Sequence, residues 1–217
     1  MTKDEVRARI EEIGIVPALR VSSANDALFA AECISSSGIN IVEVTMTVPG
    51  ALEVISELTR SFPHLIAGAG TVWTLETARR CLDAGAKFLT STGLDLEVVA
   101  LAVKEKVAVF PGALTPTEVM TAWKAGSDFV KVFPCSQVGG AEYIRALKAP
   151  FREVRLIASG GVNQQNARDY IHAGAAAIGI GKDLIPHQAI QKRQPHRIHE
   201  LGRRFVAMVK EARQQQT

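Results

Sequence analysis

The chain has 217 residues, of which 47% are apolar and 22% are charged, and its formal net charge at pH 7 is +3. That length suits one domain or two small ones, and the apolar fraction allows a substantial core. The weak charge bias argues against binding to nucleic acid or to a membrane, and no apolar run approaches the roughly 20 residues of a membrane span. The charged N-terminus is unlike a signal peptide, and three scattered cysteines fit neither disulfides nor a metal site, so we expect a reduced cytoplasmic protein.

Short apolar segments alternate with amphipathic ones along the whole chain. An amphipathic helix is predicted over residues 3–13, and eight strand–helix units follow it. The predicted strands are 15–19, 39–46, 65–69, 87–91, 107–110, 129–133, 154–158 and 176–180. The predicted helices are 23–36, 49–60, 74–83, 95–105, 116–124, 141–148, 164–172 and a last helical stretch to about residue 213. This pattern predicts an α/β fold, a (β/α)8 TIM barrel formed as a single domain by residues 1–217, with an extra N-terminal helix.

Glycines and capping residues mark the predicted helix ends. Gly38, Gly85, Gly126 and Gly174 each close a helix just before a strand, at a place where glycine tolerates a left-handed backbone. Residues 115–118 form a capping box with proline at the first helical position. These residues punctuate the fold, whereas chemistry is expected at the C-terminal ends of the strands, where this barrel places its active sites.

One lysine interrupts the predicted sixth strand. Lys131 lies in the middle of an apolar, β-branched and aromatic segment, residues 129–133. Lysine is almost never fully buried unless it is paired with another charge or has a functional role. Burial disfavours the charged form of an amine. A neutral lysine amine can attack a ketone and form a Schiff base. From this segment alone, a lysine that extends its amine from the strand end into water explains the pattern equally well.

The second predicted strand carries one carboxylate. By strand alternation, Glu43 shares a face with Ile41, Thr45 and Thr47. A carboxylate inside a barrel needs a partner, and Lys131 is the candidate. A titratable pair in a cleft at the strand ends is a signal of function; the alternative is a buried ion pair with a structural role only.

Other strand ends offer groups that suit an anionic ligand. Arg20 ends the first strand and could balance a carboxylate or phosphate; alternatively, it is a solvated arginine at the barrel mouth. Small residues at 67–70 would let a ligand approach the third strand, and Thr71 adds a hydroxyl. Glycine-rich loops at 159–163 and 179–182 lead into helix N-termini, a common phosphate site in this fold. The alternative is that these glycines only form tight turns.

Taken together, these segments resemble those of the class I 2-keto-3-deoxy-6-phosphogluconate (KDPG) and 4-hydroxy-2-oxoglutarate (KHG) aldolases. The matching segments are Val16-Pro17-Ala18-Leu19-Arg20, Val42-Glu43-Val44-Thr45, Gly68-Ala69-Gly70-Thr71-Val72, Phe110-Pro111-Gly112, Val130-Lys131-Val132-Phe133-Pro134 and Gly160-Gly161-Val162. They occur in the family's order and cover nearly the whole chain.

The resemblance implies a homotrimer of (β/α)8 barrels, with Lys131 as the Schiff-base nucleophile and Glu43 as the acid and base. It also implies two groups of substrate-binding residues. These are Arg20, Thr71 and Phe133 at the pyruvate end, and Gly160, Gly161 and Gly181 in the loops that hold the phosphate.

The chain departs from the family's pattern at four places. Thr47 stands where some members carry arginine, Ser159 where threonine is common, and Lys182 where serine is common. Residues 91–93 replace a frequent Ser-Pro. Thr47, Ser159 and Lys182 are still predicted to contact substrate, and the departures at 91–93, Ser159 and Lys182 leave the exact sugar acid open.

The expected reaction cleaves KDPG, KHG or both into pyruvate and an aldehyde, which is glyceraldehyde 3-phosphate or glyoxylate. The iminium ion serves as the electron sink, so neither a metal nor a cofactor is expected. The expected partners are a phosphorylated keto acid and pyruvate. Three alternatives remain: a 2-keto-3-deoxy-6-phosphogalactonate (KDPGal) aldolase, a phosphosugar isomerase or epimerase on the same barrel, and a non-catalytic barrel that binds a phosphorylated metabolite.

Overall fold

Strands and helices alternate along the part of the chain that the structure describes. This computed structural model describes residues 1–215, so residues 216 and 217 of the predicted domain lie outside it. The strands are β1 (Ile15–Leu19), β2 (Ile41–Thr45), β3 (Ile66–Gly70), β4 (Phe88–Thr90), β5 (Ala108–Phe110), β6 (Gly112–Ala113), β7 (Val130–Val132), β8 (Leu156–Ser159) and β9 (Ala177–Ile180). The α-helices are α1 (Lys3–Ile13), α2 (Ala24–Ser36), α3 (Ala51–Ser61), α4 (Leu75–Asp83), α5 (Leu96–Lys104), α6 (Pro116–Lys124), α7 (Ala141–Lys148), α8 (Ala167–His172), α9 (His187–Gln191) and α10 (Pro195–Gln214), with a 3-10 turn at Cys135–Val138.

The strands form one parallel barrel. Their order is β5-β4-β3-β2-β1-β9-β8-β7-β6, and β5 and β6 are two halves of one strand on either side of Pro111. The backbone N–H of Asp128 donates to the Val109 carbonyl at 3.0 Å, and that of Lys131 donates to the Pro111 carbonyl at 2.9 Å. These bonds close the barrel between the divided strand and β7. The predicted α/β TIM barrel with an additional N-terminal helix is confirmed.

Most predicted boundaries lie within one or two residues of the observed ones, and three of the differences have clear local reasons. The fifth strand was predicted to end at Phe110, but Pro111, which has no N–H to donate, only interrupts it before β6. The helix predicted from residue 164 begins at Ala167, because Asn163 Oδ1 accepts hydrogen bonds from two following N–H groups at 2.9 and 3.2 Å and holds a turn there. The last helical stretch is divided into α9 and α10, and Pro195 is the first residue of α10.

The predicted helix ends are present. Gly38, Gly85, Gly126 and Gly174 all have positive φ angles, between 94° and 99°. The Thr115–Glu118 capping box forms, with the Glu118 N–H donating to the Thr115 hydroxyl at 3.3 Å and the Thr115 N–H donating to the Glu118 carboxylate at 2.7 Å. Local sequence signals therefore fix where the helices stop and start.

Apolar side chains fill the N-terminal end of the barrel. Phe88 and Phe110 stack with ring centroids 5.0 Å apart, and Phe129 meets Phe110 edge-on at 5.1 Å. Val6 and Ile10 of α1 belong to the same buried cluster, so α1 covers this end of the barrel. Within residues 1–215 this end of the barrel is closed, so the C-terminal ends of the strands are the expected route for a ligand.

A second apolar layer lies between the barrel and the surrounding helices. Val42 and Val44 of β2 and Val130 and Val132 of β7 point outward into it. The residues between them, Glu43 and Lys131, consequently point inward. Among residues 1–215, no helix combines the length and the hydropathy that a membrane crossing requires.

Candidate active site

Glu43 and Lys131 meet in the middle of the barrel. Their strands, β2 and β7, are opposite one another, because β1, β9 and β8 separate them on one side and β3, β4 and the divided strand separate them on the other. Lys131 Nζ donates to Glu43 Oε1 at 3.2 Å and to Oε2 at 3.1 Å. The side chains are only 5% and 2% exposed. The pairing expected from the sequence is therefore present, and Lys131 does not extend its amine into bulk water.

The structure explains the glycines of β3 differently from the sequence. They were expected to leave room for a ligand beside the backbone. Instead, a Cβ atom at Gly68 would lie 2.4 Å from the Phe88 ring, and one at Gly70 would lie 2.0 Å from Glu43 Oε1. Both glycines make room for side chains of the protein itself, so that expectation was wrong for these two positions.

A cavity of about 170 Å³ opens beside Lys131 at the C-terminal ends of β1, β7, β8 and β9. Eight of the predicted site residues line it. They are Arg20, Lys131, Phe133, Ser159, Gly160, Gly161, Gly181 and Lys182. The cavity thus joins the lysine amine to the loops predicted to hold an anion.

Four residues that also line this cavity were not singled out from the sequence: Ala18, Val162, Gly179 and Asp183. Val162 and Gly179 nevertheless belong to the two loops that were predicted to hold a phosphate. Ala18 is two residues before Arg20, so strand alternation could have placed it on the inward face. Asp183 follows Lys182 directly at the end of the last strand, and its polarity there was a usable signal. Gly179 is required because a Cβ atom would lie 2.7 Å from Ser159 Oγ.

Two predicted substrate-binding residues do not line this cavity. Thr47 is exposed, and its hydroxyl is 2.6 Å from the hydroxyl of Thr45, which donates to the Leu19 carbonyl at 2.9 Å. Thr71 has a left-handed backbone with φ of 62°, which is costly for a β-branched residue. Its buried hydroxyl oxygen has no hydrogen-bond partner within residues 1–215, and such a buried polar group calls for an explanation.

The glycine loop after β8 presents free backbone donors rather than a helix terminus. Gly160 and Gly161 have φ of 87° and 83°, and a Cβ at Gly161 would lie 1.9 Å from Ser136 Oγ. In the described part of the chain, the N–H groups of Gly161, Val162 and Lys182 donate no hydrogen bond. A helix follows this loop as expected, but α8 starts at Ala167 instead of residue 164, so a turn separates the loop from the helix N-terminus. The free N–H groups of the loop can themselves donate to an anion.

Charge around the cavity favours an anion. Within the described residues, neither Arg20 nor Lys182 has a carboxylate within ion-pair distance, although Asp183 also lines the wall.

The nearby Cys135 thiol is fully buried, and burial raises its pKa to about 11. It is therefore protonated at neutral pH and unsuited to nucleophilic attack. No group of three or more possible metal ligands occurs in the region that the structure covers.

A larger cavity of about 520 Å³ lies elsewhere, between α1 and α10. Its walls include Arg9, Ile13, Val209 and Lys210. None of its lining residues lies at the C-terminal end of a strand, and they include no buried pair of titratable groups. We therefore assign the site to the smaller cavity beside Lys131.

Comparison with known proteins agrees with this geometry. The family model "KDPG and KHG aldolase" matches residues 6–201. The 2-dehydro-3-deoxy-phosphogluconate aldolase of Treponema pallidum is 32% identical over 83% of this chain and 86% of its own. The KHG/KDPG aldolase of Escherichia coli is 30% identical over 88% of this chain and 90% of its own.

Among solved structures, the KDPG aldolase of Legionella pneumophila, with pyruvate captured as a covalent carbinolamine, superimposes with a TM-score of 0.85. It is 29% identical, and the match covers 91% of this chain and 96% of that one. With its barrel, its buried lysine and its matched length, the chain belongs to the KDPG and KHG aldolase family, and it is a carbon–carbon lyase.

Proposed function

We propose that this protein is a class I aldolase that cleaves KDPG, KHG or both to pyruvate and an aldehyde through a Schiff base on Lys131. The observation that carries the proposal is the buried pair of Lys131 and Glu43 beside a cavity at the strand ends. A nucleophilic amine must give up its proton, and the Glu43 oxygens at 3.1 and 3.2 Å are the nearest acceptors.

Lys131 and Glu43 together supply the nucleophile and the proton carrier that the reaction requires. The Lys131 amine attacks the C2 ketone, and Glu43 passes protons as the carbinolamine loses water. The resulting iminium ion withdraws electrons, so the C3–C4 bond breaks as the C4 hydroxyl loses its proton to Glu43, directly or through a water. The aldehyde leaves, the enamine is reprotonated at C3, and water releases pyruvate from Lys131.

The two ends of the cavity suit the two ends of such a substrate. We assign the pyruvate end to Arg20 and Phe133, which line the cavity. Thr71 lies outside the cavity lining, and we propose it for the same end because its unpartnered hydroxyl could donate to a bound carboxylate. The phosphate end is assigned to the free N–H groups after Gly160 and Gly181 and to the Lys182 ammonium.

Three further assignments belong to this proposal. Thr47 and Ser159 lie at strand ends around the mouth and are proposed to contact substrate. One barrel domain spans the chain, and the working form is a homotrimer, as the family resemblance implies. The proposed location is the cytoplasm, as expected from the charged N-terminus and the scattered cysteines. Light scattering coupled to size-exclusion chromatography measures the assembly directly.

Cleavage of KDPGal is a second candidate function for this protein. A solved structure described as "Native KDPGal" is 30% identical to this chain and has a TM-score of 0.85 over 92% of it. Relative kcat/KM on KDPG, KDPGal and KHG decides between the substrates. An isomerase, an epimerase or a non-catalytic barrel would not need the amine in the interior.

Borohydride trapping tests the chemistry. The protein is incubated with pyruvate, reduced, digested and analysed by mass spectrometry, and we expect an adduct of pyruvate on Lys131. Lys131→Arg is the matched control, because it keeps the positive charge but its guanidinium cannot be deprotonated in a protein. Trapping on another lysine, or near wild-type aldol cleavage by Lys131→Arg, would contradict the imine route.

A further inference from the structure

We propose that Gly70 is a positioning residue for the acid and base of the reaction. The missing side chain at Gly70 provides the space in which the Glu43 carboxylate stands while it contacts Lys131. The catalytic consequence rests on the proposed function, whereas the placement of the carboxylate rests on the geometry of β2 and β3 alone.

The Glu43 side chain leans along β3 toward the barrel mouth. In the register of the two strands, Glu43 is opposite Gly68, and Thr45 is opposite Gly70. The carboxylate nevertheless lies at the level of Gly70, where a Cβ would be 2.0 Å from Oε1 and 2.5 Å from both Cγ and Cδ of Glu43. Non-bonded carbon atoms approach comfortably only to about 3.5–4.0 Å, so even one methyl group at this position must displace the carboxylate.

Backbone conformation does not explain this glycine. Gly70 lies within β3, and it is not among the described glycines with a positive φ angle. An alanine would therefore fit the strand, and the three nearest atoms in its way all belong to Glu43. The same contacts fill the space that a ligand would need to approach the backbone at this point.

Displacement of the carboxylate would separate it from the amine it serves. Glu43 is 2% exposed and reaches Lys131 with both oxygens. Proton transfer requires a base within hydrogen-bond reach. The substitution Gly70→Ala should therefore disable the pair without changing either of its members.

A double-mutant cycle tests this coupling. Initial rates of pyruvate trapping on Lys131 are measured for the wild type, Gly70→Ala, Glu43→Ala and the double variant. We expect Gly70→Ala to trap at least about 100-fold more slowly, the scale of a lost general base. The double variant should be no slower than Glu43→Ala, because the methyl group at 70 then has no carboxylate to displace.

Ala69→Gly is the matched control. Ala69 is the neighbour of Gly70 on the outward face of β3 and is fully buried in the layer under the helices. Its loss of a methyl group should lower the melting temperature while leaving the trapping rate at the wild-type level. Slow trapping in Ala69→Gly would show that any weakening of β3 has this effect and would overturn the inference.

The melting temperatures of the same four proteins give a second test of the coupling. Gly70→Ala should lower the melting temperature when Glu43 is present and should not lower it in the Glu43→Ala background. If Gly70→Ala does not fold, recovery of folding in the double variant supports the coupling, and failure to recover overturns it.

The outcomes separate this inference from the proposed function. A wild-type trapping rate in Gly70→Ala, or independent losses that multiply in the double variant, would overturn the positioning role alone. A wild-type protein that gives no adduct on Lys131 would overturn the proposed function, and the melting-temperature cycle would still decide whether Gly70 places Glu43.

Discussion

Glu43 and Lys131 hold opposite charges in a part of the barrel where neither has more than 5% of its side chain exposed. Removing two charges from water is costly, and their mutual attraction only roughly offsets that cost. A buried pair of this kind is therefore a weak reason for stability. The catalytic role proposed above explains the position of this pair beside the cavity better than a gain in stability does.

Substitution of the pair should separate stability from activity. Lys131→Met leaves the Glu43 carboxylate buried without a partner and should lower the free energy of unfolding by about 3–5 kcal/mol. Adding Glu43→Gln removes the stranded charge and should restore most of that loss, although both variants should be inactive. Urea unfolding at pH 7 measures the difference. A double variant that is less stable than Lys131→Met would contradict this account.

The sequence could reveal this pair because two simple rules converge. Alternation placed Glu43 and Lys131 on the inward faces of their strands, and the barrel topology brought those faces together. It could not reveal why Gly70 is glycine, because the reason is a side chain from the neighbouring strand that leans two residues along β3. The same limit applies to Thr71, whose positive φ angle no local pattern indicated.

At the scale of elements, one buried carboxylate adds polar contacts between α1 and the barrel to the apolar packing of Val6 and Ile10. Asp128 precedes β7 and is 3% exposed. Its Oδ2 accepts a hydrogen bond from the Val109 N–H at 3.0 Å, and its Oδ1 is 3.2 Å from the Lys3 ammonium and 4.0 Å from the Arg7 guanidinium of α1. One side chain thus ties the N-terminal helix to the divided strand and to β7.

Two substitutions should distinguish the bonds of this carboxylate. Asp128→Ala leaves the Val109 N–H without a partner and should cost about 1–3 kcal/mol of unfolding free energy. Asp128→Asn keeps an acceptor for that N–H and loses only the partly exposed ion pairs, which are worth about 1 kcal/mol or less. Urea unfolding of both variants checks the order. Equal losses would mean that the hydrogen bond to Val109 contributes little and that the ion pairs with α1 account for the loss.

The bounds of helices and strands were easiest to predict where the spacing of apolar residues and a helix-capping signal indicated the same residue. The sequence placed α1, β1, α6 and α7 at their observed bounds. In α1 and α6, apolar periodicity coincides with a capping box at the helix start. The short strand β6 was not predicted, since two residues after a proline carry no periodic signal. The start of α8 was set too early because the turn at Asn163 depends on its side-chain hydrogen bonds.

The whole molecule is organised as a barrel with one apolar end and one polar end, inside a shell that buries all three cysteines. Burial raises the pKa of Cys33, Cys81 and Cys135 from 9.0 to about 11. Burial also raises the pKa of Tyr170 to about 12. Each group holds its proton more tightly in the folded state than in the unfolded state.

This difference fixes the sign of the alkaline pH dependence. Well below pH 9 the thiols are protonated in both states, so their ionisation does not affect stability. Between pH 9 and 11 the thiols of the unfolded state lose their protons first, and stability should fall as pH rises. Each thiol contributes at most about 1.4 kcal/mol per pH unit to that slope. We therefore expect the variant Cys33→Ala/Cys81→Ala to show a flatter loss of unfolding free energy between pH 9 and 11 than the wild type.

Urea titrations at half-unit steps of pH measure both slopes, and thiol titration gives an independent reading. The folded protein at pH 8 should react slowly with a thiol-specific disulfide reagent, because only the thiolate attacks, and all three cysteines should react once the chain is unfolded. Parallel slopes for the wild type and the variant, or rapid reaction of the folded protein, would show that burial does not hold these protons. The alkaline limit of the barrel would then have to come from groups outside its apolar shell.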